Sequence, residues 1–454
     1  MLSSETHTLE HLSHELAQGR TTSVELVEQA LGRIASPSGQ GATVFTRVFA
    51  KEALAQARES DQRRAAGQTK SVIDGLPISV KDLFDLKGQT TRAGSVVLRD
   101  NPPASKDALI VQRLRDAGAV IVGTTNMTEF AYSGLGLNPH YGTPLSPWDR
   151  ATGRIAGGSS SGAAASVADG MAVGAIGTDT GGSVRIPAAF CGLVGYKPTA
   201  SLISMQGTLP LALHLDSIGP LANSLTSCIW LANVMADQPL GSIDTKPPNG
   251  LRLAIPKQLV LDSVEPAVAK AFEAACEALR QAGAQITNLD LPELLEIATI
   301  NAAGGFTAAE AYAWHKALLV SSQDQYDPRV AVRIQRGANL GSDYIEQLQA
   351  QRTDWIARVK AKVASHDALL MPTVPIVAPA LAPLQTDDDL YAKLNVLSLR
   401  NPTVINFFDG CAVTLPCHHP GQAPVGLMLA RACGEDRALL ELALGCEKVI
   451  NAAR

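Results

Sequence analysis

The chain has 454 residues, 46% of them hydrophobic and 4% aromatic, with a formal net charge of −5. That composition describes a globular protein with a sizeable core and gives no electrostatic footprint for nucleic acid or an anionic membrane. Seven cysteines, odd in number and without a C-x-x-C pair, fit reduced thiols and a cytoplasmic protein.

The first residues, MLSSETHTLEHLSHEL, have neither a basic n-region nor an apolar h-region, so no export signal is expected. No uncharged apolar run approaches the roughly 18 residues a membrane helix needs. Thr8 to Ala17 and Ser23 to Ile34 read as amphipathic helices, the second with Ser23 and Glu25 as its capping signal. Ala50 to Ala66 is a more charged third helix. Residues 1–70 are expected to form a helical layer of the same domain as residues 71–454. Leu76 to Val80 is a short apolar strand that delivers Lys81 at its end. Ser105 is expected to cap a helix through Ala117, and Ala119 to Val122 to be a buried strand.

Ala163 to Val167 reads as a helix and Met171 to Ile176 as a buried strand. Leu251 to Ile255, Pro266 to Ala282 and Ala284 to Leu289 repeat a strand–helix–strand pattern. Leu294 to Ser321 and Tyr344 to Ser365 read as long helices. Ala368 to Met371, Ala412 to Leu415 and Val425 to Leu429 read as strands, and Glu435 to Ile450 as a closing helix. No repeat or linker interrupts this order. It predicts an α/β class chain, a single α/β/α domain with a large central mixed sheet covered by helices.

Between Gly157 and Thr199 lie two clusters that suit turns aiming N–H groups inward, Gly157-Gly158-Ser159-Ser160-Ser161-Gly162 and Gly177-Thr178-Asp179-Thr180-Gly181-Gly182-Ser183. Each holds a hydroxyl suited to nucleophilic attack or proton relay. Seven of the nine histidines lie towards the two ends of the chain, and His140 and His214 follow no catalytic turn, so a base is better sought in a lysine. Burial at the end of an apolar strand would lower the pKa of Lys81 and let it accept a proton. The pattern alone leaves open that Lys81 merely pairs with Asp82 or Asp85, and that Ser159 and Ser183 cap the helices after them. Asp179 and Arg185 read best as a buried ion pair that holds the loop. Gly157 and Gly162 have P-loop spacing, but Ala163 and Ala164 stand where Lys and Ser/Thr are required. No motif supports a metal or a cofactor.

Three motifs together carry a resemblance: PISVKD around Lys81, GGSS around Ser159, and GTDTGGSVRIPAAFCG around Ser183. With GAVIVGTTNMTEFAYSG, Ser146-Pro147-Trp148-Asp149 and LDSIGP, the chain resembles the amidase signature family of serine hydrolases, which includes the A subunit of glutamyl-tRNA amidotransferase. The match is strong from about residue 70 to 220 and looser through FFDGCAVTLP. Ser161 stands where the family usually has glycine.

The resemblance implies Lys81 as base, Ser159 as bridging serine after a cis Gly158–Ser159 bond, and Ser183 as nucleophile. It implies an oxyanion hole from the N–H groups of Thr180, Gly181, Gly182 and Ser183, with Ser160, Asp179 and Arg185 in support. Ala131, Tyr132 and Ser133 are expected to line the acyl pocket, and Asp409 to contact an amine or amide if it faces the cleft. The expected reaction is hydrolysis of carboxamides, with esters, carbamates (urethanes) and ureas within range. The expected partner is a small-molecule amide, without cofactor, nucleic acid or membrane, and a homodimer is left open. The alternatives are the glutaminase subunit of a tRNA-dependent amidotransferase, which would hold a substrate carboxylate with an arginine that the pattern does not single out, and a catalytically idle scaffold.

Overall fold

The computed structural model describes residues 7–454, so the first six residues of the stretch read for an export signal lie outside it. Its strands in chain order are β1 (Phe45–Val48), β2 (Pro77–Lys81), β3 (Val120–Thr125), β4 (Gly174–Asp179), β5 (Val194–Lys197), β6 (Ser217–Ala222), β7 (Arg252–Pro256), β8 (Gln285–Leu289), β9 (Ala368–Pro372), β10 (Cys411–Pro416) and β11 (Gly426–Arg431). All of them join one mixed sheet in the order β1-β3-β2-β4-β6-β5-β10-β11-β9-β7-β8.

The two-residue period of a strand explains how this sheet is covered. Ile121 and Ile176 point into one apolar cluster with Leu9, Leu12 and Leu16 of the first helix. Their neighbours Val120, Val122 and Ala175 point into another, with Ala163, Ala164 and Ala165. Both faces are therefore dry, and β2, β3, β4 and β6 are buried at every position. Parallel pairing of β2 with β4 brings Val80 opposite Ile176 and sets Lys81 beside the end of β4.

Several elements differ from the pattern reading for identifiable reasons. The second helix is capped by Thr22, whose side chain and Glu25 form a reciprocal capping box. Ser23 is instead buried and donates to the Gly75 carbonyl at 2.7 Å. The helix expected from Ser105 begins at Leu109, without a side-chain cap. The segment before residue 70 also supplies β1, which pairs antiparallel with β3. The strand expected to end at Ile176 runs on through Asp179, because Gly177, Thr178 and Asp179 pair with Gly219, Ile218 and Ser217 of β6. The long helix expected from Leu294 breaks before Gly305–Ser322, where Gly304 and Gly305 take φ of 129° and 66°. Among the described residues no helix is long and apolar enough to cross a membrane. All seven cysteines are free, and Cys433 alone is exposed.

Candidate active site

The site lies where β2 and β4 end. Lys81, the last residue of β2, has none of its surface exposed. Its Nζ stands 2.7 Å from Ser159 Oγ and 2.9 Å from Thr178 Oγ1. Burial pushes the amine down to about 7, against the opposing charges of Asp216 and Asp179. A sizeable fraction of it, about half at pH 7, is therefore neutral, and no carboxylate forms an ion pair with it among the described residues.

Ser159 follows a cis peptide bond from Gly158. The backbone around it is packed against other backbone: Gly158 N–H donates to Gly134 O at 2.8 Å, and Thr128 N–H to Ser159 O at 3.1 Å. A Cβ on Gly158 would fall 2.5 Å from Gly136 N, so this position admits only glycine. Helix Ser161–Ala168 begins directly afterwards, and neither Ser159 nor Ser160 caps it with a side chain. Ser160 connects the two loops instead. Its N–H donates to Ser183 O at 3.3 Å and its hydroxyl to Thr178 O at 3.3 Å. No hydrogen bond joins the Ser159 and Ser183 hydroxyls among the described residues; the adjacency of the two loops runs through the backbone.

The loop from Thr180 to Val184 is wound around one carboxylate. Asp179, wholly buried, accepts from the N–H of Gly182 at 2.8 Å and of Val184 at 3.1 Å. It also meets the Arg185 guanidinium at 2.9 Å and the Asn406 side-chain amide at 2.9 Å. Burial alone would raise this carboxyl, but Arg185 outweighs it and holds it well below the usual range. Gly182 takes φ of 123°, and a Cβ there would meet Pro402 at 2.6 Å. The Gly182 N–H, expected among the oxyanion donors, is already bound to Asp179. Thr180 Oγ1 in turn donates to Asp216 at 2.5 Å, and burial raises Asp216 to about 6 against the hydrogen bonds it accepts from Thr180, Leu211 and Ala212.

Ser183, Gly181 and Thr180 open onto a cavity of about 280 Å³ that Ala131, Tyr132 and Ser133 also line. Phe130 and Ala131 take φ of 50° and 61°, a region that residues with a Cβ seldom adopt. Glu129, fully buried, anchors this turn by accepting from Ser95 Oγ at 2.7 Å, His140 Nε2 at 2.8 Å and Asp327 N–H at 2.7 Å. The remaining walls are mainly apolar and include Leu211, Leu215, Ile297, Phe306 and Phe407.

Asp409 is not part of this cavity. It follows the helix Asp388–Phe407 by two residues in a left-handed turn, with φ of 56°. That turn sends its partly exposed carboxylate towards Arg352, 4.0 Å away, while Phe407 forms the wall. Residues not singled out by the pattern do belong to it. Arg333 supplies a guanidinium, with Nη1 donating to Tyr132 O at 2.8 Å. Asn395 supplies an amide. Thr178 and Asp216 were in plain view within the motifs GTDTGG and LDSIGP; Arg333 and Asn395 lie where the sequence has no motif.

A dry lysine against a serine, beside a second serine that opens onto an apolar cavity, is the equipment of an enzyme. A family model described as amidase matches residues 25–440. The 2-amino-5-chloromuconic acid deaminase of Comamonas testosteroni is 35% identical over 85% of this chain and 84% of its own. The A subunit of glutamyl-tRNA(Gln) amidotransferase from Chloroflexus aggregans is 34% identical over 96% of this chain and 95% of its own. A crystal structure described as an amidase superimposes with a TM-score of 0.86 at 30% identity, covering 97% of this chain and 99% of that one. The chain belongs to the amidase signature family, and its reaction is accordingly hydrolysis at an amide C–N bond.

Proposed function

We propose that this enzyme hydrolyses a small carboxamide through an acyl-enzyme on Ser183, with Ser159 as relay and Lys81 as base. The observation that carries the reading is the fully buried Lys81 amine, lowered to about 7 by burial and standing 2.7 Å from Ser159 Oγ. The Lys81 lone pair takes the Ser159 proton as Ser159 takes that of Ser183, and Ser183 Oγ bonds to the carbonyl carbon. The oxyanion that develops is met by the N–H groups of Gly181 and Ser183 at the cavity wall, with Thr180 beside them. Collapse breaks the C–N bond, and the proton returns through Ser159 to the departing amine. Water then repeats the sequence and releases the acid.

The walls favour a substrate with a short apolar body, and Arg333 favours an anionic group on it. A relative whose name specifies an amino-chloromuconic acid supports an acid-bearing substrate. Replacing Ser183 by Ala should remove turnover of amides while leaving the melting temperature in place. Substantial hydrolysis by that variant would overturn the proposal.

The likeness to an amidotransferase A subunit favours a second reading, glutamine hydrolysis on behalf of partner proteins. Turnover of simple amides by the purified chain alone supports the first reading. A strict requirement for glutamine and partners supports the second.

A further inference from the structure

Ser133 and Asn395 stand side by side on the cavity wall, and the hydrogen bonds between them fix what each can offer a substrate. Gly134 N–H lies 2.9 Å from Asn395 Oδ1, and a backbone N–H can only donate, so the atom facing it is the oxygen. Ser133 Oγ is 2.9 Å from the same oxygen and must give it its one proton. The Ser133 oxygen is then left to accept, from Tyr391 O–H at 2.7 Å and Leu135 N–H at 3.2 Å. Ser133 has no proton for a ligand. Asn395 does: it is 7% exposed, its Oδ1 is fully engaged, and its Nδ2 has no partner among the described residues.

The helix Asp388–Phe407 presents Asn395, Leu399, Thr403 and Phe407 to the cavity at four-residue intervals, so Asn395 lies on the stripe that forms the wall. Arg333 is tied into the same corner, with its guanidinium 5.2 Å from the ring centre of Tyr391 and bonded to Tyr132 O.

We infer that Asn395 Nδ2 is a specificity-determining donor for an oxygen acceptor on the acyl side of the substrate, and that Ser133 and Tyr391 are positioning residues that hold the amide in this orientation. The substrate class is then a short amide carrying a second carbonyl or carboxylate away from the scissile bond. This inference rests on the amide-hydrolysis reading above.

Three amides of equal length separate the outcomes: succinamate ends in a carboxylate, butyramide in a methyl, and β-alaninamide in an ammonium. The wild type should favour succinamate. Asn395→Asp keeps an acceptor for both Gly134 N–H and Ser133 Oγ–H and changes only the atom that faces the cavity. It should lower the succinamate-to-butyramide ratio of kcat/KM by about 10- to 100-fold, the range for a hydrogen bond to a charged group. It should raise the β-alaninamide-to-butyramide ratio. Asn395→Leu should lower the first ratio without raising the second, and Ser133→Ala should lower the first ratio more weakly. Binding of the same compounds to Ser183→Ala protein, measured by calorimetry, reports recognition apart from chemistry. Failure of the reaction reading would appear as turnover by Ser183→Ala. If substitution of Asn395 leaves the order of the three ligands unchanged, in turnover and in binding, the inference is overturned.

Discussion

Lys81 Nζ and Thr178 Oγ1 are 2.9 Å apart, and this contact orients the amine. A neutral amine has two protons to give and one lone pair. In the proposed mechanism, donating to Thr178 leaves the lone pair free to take the Ser159 proton. Thr178→Val keeps the shape and removes the acceptor. It should lower kcat by about 2- to 10-fold and cost about 1–3 kcal/mol of stability for the buried N–H left without an acceptor, as steady-state kinetics and a thermal melt would show.

The rate should follow the charge on Lys81. As pH falls through about 7 the amine gains a proton and can no longer act as base, so kcat/KM should decline on the acid side with a midpoint there. Asp216 raises that midpoint through its negative charge. Asp216→Asn should therefore move the acid limb to lower pH, and a pH–rate profile that stays put would count against the assignment.

Burial of this lysine also has a cost in stability, and its sign is opposite to that of an ion pair. The unfolded chain holds the proton up to about 10.4, while the folded chain releases it near 7. Between these values the unfolded state binds more protons, so stability rises with pH. Lys81→Met should be inactive yet more stable than wild type by a few kcal/mol at pH 7, on the order of 1.4 kcal/mol per unit of depression. The advantage should be largest at and below pH 7 and fade towards pH 10, as denaturant titrations across that range would reveal.

Asp179 and Arg185 behave differently, because removing one partner strands the other. Asp179→Asn leaves the guanidinium without its charge partner in a fully buried site. A loss of about 3–5 kcal/mol is expected. The backbone loop that Asp179 holds through Gly182 and Val184 should loosen with it, lowering kcat in protein that still folds at low temperature.

The residues proposed to carry the chemistry were legible in the sequence because glycine and serine clustered at bends declare themselves. Lys81 was legible as the end of an apolar strand. The strands β5 and β6 were not, since Pro220 and the glycines in them mimic loops, and only pairing with β4 and β10 makes them strands. Asn395 and Arg333 were hidden for another reason. Each is an ordinary polar residue on a helix, and only the packing of that helix turns it towards the cavity. Asp409 failed as a candidate because a left-handed turn reverses the direction that its place after two phenylalanines suggests.

The strand order has a bearing on how the protein is made. β10 and β11 sit between β5 and β9, although they follow every other described strand in sequence. A nascent chain without residues 411–431 lacks the two strands that join β5 to β9, so each of those strands would have an edge of unpaired amides. Such edges recruit foreign strands. Lys81, Ser159 and Ser183 lie on the first half, whereas the cavity walls from Ile297, Phe306 and Arg333 come with the second. The cavity can therefore be completed only once residues 411–431 have joined the two parts, and until then the open edges are where the chain would pair with foreign strands.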